Sequence, residues 1–233
     1  MAWDDLNLGK GPGGFRWPVF PVSTLQLRHL SPRVLALLLA VVLVIWLVSG
    51  LYIVGPDEKG IVLHFGRHIA STDPGLHWHW PFPVESVLQP KVTEVQRIEI
   101  GFRTIDPGPP ARYTDVASES LMLTGDENII DIDLAIQYRI ADPARYLFKV
   151  RGLPDAVKSA GEASLREVIG RRHIDEALTV GKLEIQEETR TLLQSILDAY
   201  ESGLQVMAVQ LQDVAPPKQV LDAFKDVASA RED

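Results

Sequence analysis

VLALLLAVVLVIWLVSGLYIV, residues 34–54, holds no Asp, Glu, Lys, Arg or His. At about 1.5 Å of rise per residue, a helix of that length spans about 31 Å, close to the roughly 30 Å hydrocarbon core of a bilayer. A helix that is apolar on every side has no face to turn to water. The stretch is therefore expected to be a transmembrane helix. A cleaved signal peptide and a buried core helix are the competing readings. A signal peptide has a short basic opening and an apolar run of roughly 7–15 residues. Here a longer segment comes first, and Val48-Ser49-Gly50 only faintly imitates a cleavage site.

The flanks set an orientation. Arg16, Arg28 and Arg33 precede the run, whereas Asp57, Glu58 and Lys59 follow it. The Lys/Arg bias places the N-terminus inside and the C-terminal mass outside the cytoplasm, in the periplasm of a Gram-negative cell. Residues 1–33 are too few for a cored domain, and their GKGPGGFRWP composition reads as a disordered cytoplasmic tail. The chain carries −8 overall and −10 beyond the span. So acidic a domain is a poor nucleic-acid binder, because phosphate contacts need clustered Lys and Arg. With no cysteine, disulfides, thiolate metal sites and cysteine nucleophiles are excluded. About 180 residues remain past the span, enough for one domain or two small ones.

Gly60 to Gly66 is a short apolar run closed by glycines and is expected to be a strand. Asp73-Pro74-Gly75 is a turn signal. LHWHWPFP, residues 76–83, follows, with prolines that argue against regular structure. Two places suit Trp78, Trp80 and Phe82: the headgroup level of a membrane, or the core of a small β-domain. His77 and His79 lack a third ligand at a recognisable metal spacing. Residues 92–102 read as a strand region and 103–118 as a Pro- and Asp-rich loop.

The cleanest strand is residues 130–140. Ile130, Ile132, Leu134, Ile136, Tyr138 and Ile140 share one face, while Asp131, Asp133, Ala135, Gln137 and Arg139 share the other. Asp131 and Asp133 are expected to be solvated charges. Asp142-Pro143 has the form of an N-cap and first helical residue. Pro154 opens a helix with Val157, Ala160, Leu165, Val168 and Ile169 inward, and Arg171-Arg172-His173 is expected to be its solvated end. A helix over residues 182–201 should turn Ile185, Thr189, Leu192, Ile196 and Tyr200 inward, with Gly203 as its stop. A strand over 204–214 and a helix opened by Pro216-Pro217, with Val220, Phe224 and Val227 inward, complete the chain.

No nucleophile elbow, HExxH or P-loop motif occurs. Gly9, Gly11 and Gly14 match GxGxxG in spacing but sit in the polar tail with no strand before them. Nothing brings a base, a nucleophile and an oxyanion donor together. The residues alone imply a single-span membrane protein with an acidic α+β extracytoplasmic domain, no cofactor and no catalysis.

Six stretches run collinearly with one family. They are GPDEKGIVLHFG (55–66), DPGLHW (73–78), LMLTGDENII (121–130) with QYRI (137–140), LREVIG (165–170), and APP (215–217) with Val220 and Ala223-Phe224. Together, over about residues 50–233, they resemble the SPFH family, also called band 7 or stomatin/prohibitin. The likeness is strongest to its branch that modulates the membrane AAA+ protease FtsH. The resemblance implies a transmembrane helix (34–54), an SPFH domain (55–215) with a small β-rich part and a mixed α/β part, and the start of a long helix (216–233). It further implies a non-catalytic scaffold in the bacterial inner membrane. That scaffold would alternate with an HflC-like subunit in a ring or cage around an FtsH-like protease and restrict access of membrane-protein substrates. Trp78, Trp80 and Phe82 are the candidates for lipid contact, and Val220, Phe224 and Val227 for oligomer contact. Relatives continue into a long charged coiled coil, so the chain is expected to be a fragment, or else a natural short form. Two other functions stay open: a stomatin-like organiser of membrane microdomains without a protease partner, and a membrane-bound hydrolase.

Overall fold

The computed structural model describes residues 31–179 and 181–221, in a chain that divides into two units, 1–45 and 46–233. Helix α1, Pro32–Val48, opens with proline at its first position, where no amide is needed. It has no buried residue, and its Leu, Val and Ile side chains are exposed on all sides up to Ile45, with Trp46 and Leu47 half-buried. The expected 34–54 helix therefore ends early, at Val48. At 17 residues α1 is about 25 Å long. Among the described residues, no helix is long and apolar enough to cross a membrane. The stop is local. Ser49 Oγ turns back to the Trp46 carbonyl at 2.6 Å, and the Gly50 carbonyl accepts from the His79 amide at 3.0 Å. A Cβ at Gly50 would collide with the His79 carbonyl oxygen. Leu51–Val54 then forms strand β1, its β-branched residues suiting a pleated strand.

The first lobe of the second unit is all β. Strands β2 (Gly60–His64), β3 (Arg67–Thr72) and β5 (Glu85–Leu88) form a sheet in the order β3-β2-β5, and β1 pairs with β4 (Gly75–Trp78). Ile61, Val62, Leu63 and Val54 are its buried apolar residues.

The second lobe carries the main core. Strands β6 (Gln96–Ile100), β7 (Phe102–Asp106) and β8 (Arg112–Asp115) lead to the short helix α2 (Ala117–Ser120). Strands β9 (Leu121–Leu123) and β10 (Ile129–Ile140) follow, then helices α3 (Pro143–Phe148), α4 (Leu153–Ile169), α5 (Ile174–Leu178) and α6 (Lys182–Ala199), and last β11 (Leu204–Ala215). The sheet order is β11-β10-β6, with β9 also on β10, and all pairs are antiparallel. In β10 every even residue from Ile130 to Ile140 is buried against α4, α6 and their neighbours as expected, but Ala135 on the opposite face is buried as well. The expected loop 103–118 is largely the β7–β8 hairpin, with Phe102 opposite Asp115 and the prolines confined to its tip.

Two helical readings change. α6 buries Ile185, Thr189, Leu193 and Leu197, while Leu192 and Ile196 are half-buried and Tyr200 is exposed. The inward stripe is the strict i, i+4 row, one residue round from the expected one. Arg172 is not a solvated helix end. Its guanidinium meets Glu184 at 3.0 Å, Glu188 at 2.6 Å and Glu176 at 3.5 Å, tying the α4–α5 corner to α6. The TGDEN loop locks the same corner. The Gly125 amide donates to the Arg172 carbonyl at 2.8 Å, and Asp126 Oδ1 accepts from the Ile174 amide at 3.2 Å. This loop is thus a structural clamp.

β11 is a sheet edge, and α6 closes it with amides. Gln194 Oε1 accepts from the Val206 amide at 2.8 Å and its Nε2 donates to the Leu204 carbonyl at 3.1 Å. Gln186 Oε1 accepts from the Leu211 amide at 3.1 Å. Side-chain amides here stand in for a neighbouring strand, so the edge cannot pair freely with another chain. After β11, Val220 is exposed in a turn, and Phe224 and Val227 lie outside the described residues, as does the tail up to Leu30.

Candidate membrane-facing site

The β1–β4 ladder pairs Leu51 with Trp78 and Ile53 with Leu76. Strand alternation puts these four on one face, and all four are exposed, Ile53 at 72% and Leu76 at 67%. The other face is occupied. Tyr52 packs its ring against His77 and His79, with centroids 5.8 and 5.2 Å away, and its hydroxyl lies 3.0 Å from Thr72 Oγ1. The two histidines therefore serve as ring partners for Tyr52. Their nitrogens face the backbone, His77 Nε2 2.7 Å from the Asp73 carbonyl and His79 Nδ1 2.7 Å from that of Trp80.

The connection from β4 to β5 adds Trp80 and Phe82, which is 80% exposed. The Trp78 and Trp80 rings meet edge to face at 5.3 Å. Several polar groups of this loop are paired within the protein. Trp78 Nε1 donates to the Leu47 carbonyl at 2.9 Å, one of the carbonyls that a helix end leaves unpaired. Trp46 Nε1 donates to the Phe82 carbonyl at 3.0 Å. The Trp80 amide donates to Glu85 Oε2 at 2.9 Å, and the Val84 amide to the Pro81 carbonyl at 3.1 Å. What remains outward is apolar: Leu51, Ile53, Leu76, Trp78, Trp80 and Phe82. An exposed face of this kind marks an interaction surface. Trp78, Trp80 and Phe82 do not pack in the core of the β-lobe.

Leu51, Ile53 and Leu76 escaped the sequence reading. The first two were absorbed into the apolar run, although the strand ladder gives them a different face from Tyr52 and Val54.

A second feature lies in the other lobe. Asp131 and Asp133 are half-buried beside Asp115 and Asp213 around a cavity of about 220 Å³, closed by Ala215, Pro216 and Lys218. Lys218 Nζ reaches Asp115 Oδ2 at 3.1 Å. Burial, then the charges of Asp131, Asp115 and Asp213, push the Asp133 carboxyl up to about 6. These are crowded carboxylates, unlike the freely solvated charges expected. A carboxyl with a raised folded-state pKa contributes stability below the unfolded value near 3.8 and loses it as pH rises through about 6. Asp133→Asn is therefore expected to exceed the parent by about 1–2 kcal/mol near pH 7.5, discounted for partial exposure. The gap should close below about pH 4, and urea unfolding at the two pH values checks both halves. Among the described residues, no group of His, Asp and Glu is arranged to hold a metal.

The family model described as SPFH domain / Band 7 family matches residues 52–233. Protein HflK of Vibrio cholerae is 34% identical over 194 residues, 83% of this chain and 44% of that protein. Protein HflK of Haemophilus influenzae is 35% identical over 201 residues, 86% of this chain and 44% of that protein. The modulator of FtsH protease HflK of Escherichia coli K12 is 30% identical over 204 residues, 88% of this chain and 44% of that protein. The chain thus spans less than half the length of these relatives.

Proposed function

This chain belongs to the SPFH domain / Band 7 family, and from that premise we propose that it is an HflK-like scaffold of the bacterial inner membrane. It is anchored by the apolar part of α1, residues 34–48, with its N-terminus in the cytoplasm and its SPFH domain in the periplasm. It assembles with an HflC-like subunit into a ring or cage, modulates an FtsH-like protease and limits which membrane proteins reach it. It performs no chemistry and needs no cofactor.

The observation that carries this reading is the outward apolar face of β1, β4 and the loop after it, with several of its polar groups paired within the protein. A partner that makes no directional hydrogen bonds fits such a face, and the headgroup–acyl boundary of a bilayer is one. Each aromatic side chain moved out of water there contributes about 1.5–3 kcal/mol. The contact holds the lobe at the bilayer surface and narrows the orientations over which neighbouring copies must meet. Weak contacts between tethered copies gain from that restriction. Val220, Phe224 and Val227 begin the segment assigned to contact between subunits.

The full chain in vesicles containing lipids brominated high on the acyl chain tests the membrane contact. The emission lost in a Trp78→Phe/Trp80→Phe variant is the emission of those two indoles. It is expected to be quenched by half or more in the parent chain. Unquenched emission from the pair would overturn the contact.

A further inference from the structure

Among the described residues, Glu85 is the one buried carboxyl side chain, 9% exposed at the start of β5. Burying a carboxylate is costly unless both oxygens are served. Here they are, and by groups with no part in the core. Oε2 accepts from the Trp80 amide at 2.9 Å, and Oε1 faces His64 Nδ1 on β2 at 3.4 Å. The Trp80 amide sits midway along the aromatic loop. One residue before it, the His79 amide is bonded to the Gly50 carbonyl, and two residues after it the Phe82 carbonyl is bonded to Trp46. The loop is thus pinned at four backbone points, the fourth being the Val84 carbonyl, which accepts from the Phe65 amide at 3.0 Å. Those at His79 and Phe82 join it to the end of α1 and the residues just after it, and the one at Glu85 joins it to the β3-β2-β5 sheet.

We propose that Glu85 is the positioning residue of the membrane-facing site: its carboxylate holds the loop in the shape that presents Trp80 and Phe82 outward together. This rests on the bilayer reading for its consequence and on geometry for its mechanism. Without the carboxylate, the Trp80 amide loses its partner, and the middle of the loop is left to the helix-end contacts, with only the Val84 carbonyl still bonded to the Phe65 amide beyond it. The aromatics then lose their fixed outward pose, and ordering the loop costs entropy at the moment of contact.

The chain has no cysteine, so Phe82→Cys offers a unique site for an environment-sensitive fluorophore. Three full-length chains carrying that reporter are compared in vesicles: Glu85 intact, Glu85→Gln and Glu85→Ala. Hydrogen exchange of the Trp80 amide is read in parallel, with β10 amides as the internal standard of folding. Glu85→Gln keeps an acceptor for Trp80 and is expected to match the intact chain in both readouts. Glu85→Ala is expected to lose about ten-fold or more of the Trp80 protection while β10 stays protected, and its reporter should move to a water-like emission. Unchanged Trp80 exchange in Glu85→Ala overturns the positioning role. If the reporter reads water even with Glu85 intact, while Trp80 protection still depends on Glu85, the positioning role stands and the bilayer contact fails.

Discussion

Arg172→Met is expected to lower stability by about 2–3 kcal/mol and the unfolding midpoint by about 5–10 °C. Only 17% of the Arg172 side chain is exposed, and it serves three glutamates. Hydrogen bonding to Glu184, with the charge of Glu188 adding to it, holds the guanidinium well above its usual range against the opposing effect of burial. Glu184 is correspondingly held below the usual carboxylate range by the Arg172 hydrogen bond. Methionine keeps the apolar stem and removes the charge, leaving three carboxylates to repel one another across α5 and α6. The figure is set below the 3–5 kcal/mol typical of a fully buried pair because the glutamates are about half exposed. Arg172→Lys is expected to recover only part, since a point charge cannot reach three partners in a planar fork. Urea unfolding of the three chains at low and high salt is the check, with the gap narrowing in high salt.

Gly203→Ala is expected to cost about 3 kcal/mol. Gly203 joins α6 to β11 with φ +71°. Its carbonyl accepts from the amides of both Ala141 and Asp142 at 2.9 Å, bringing it against the start of α3. A Cβ there would collide with the Asp142 carbonyl oxygen and crowd Arg145 and the Tyr146 amide. Gly66→Ala separates conformational strain from collision. Its φ is +82°, yet nothing lies within 4 Å of its would-be Cβ. That substitution should cost about 1 kcal/mol. Equal losses at the two sites in a thermal melt would refute the collision.

What could be read in advance follows from how unambiguous each local signal is. In β10 every even residue from Ile130 to Ile140 is apolar and buried, so that face was visible in the sequence, whereas the burial of Ala135 on the other face was not. Asp142 does cap α3, accepting from the amides of Ala144 and Arg145 at 3.0 and 3.1 Å. The end of α1 was hidden because no charge separates Val48 from Leu51, and an uncharged apolar run does not distinguish helix from strand. On α6, Leu192 and Leu193, like Ile196 and Leu197, are adjacent apolar pairs, so two stripes fit the same pattern and packing on the sheet selects one. Arg171-Arg172-His173 looks the same whether solvated or bridging, because the three glutamates that claim Arg172 come from other helices.

For the site, Trp78, Trp80 and Phe82 stood out by residue type. Their exposure emerged only with the β1–β4 ladder, which also recruited Leu51, Ile53 and Leu76. Glu85 gave no signal at all. A glutamate within Val84-Glu85-Ser86-Val87 reads as a polar strand residue, and its burial depends on a loop that returns to it in space.

The proposed HflK-like membrane scaffold around a protease is tested most directly by extracting a tagged chain from its native membrane in mild detergent, followed by sizing and mass spectrometry. The expected result is a megadalton-scale particle that contains an HflC-like subunit and an FtsH-like protease. A small species carrying neither would contradict it.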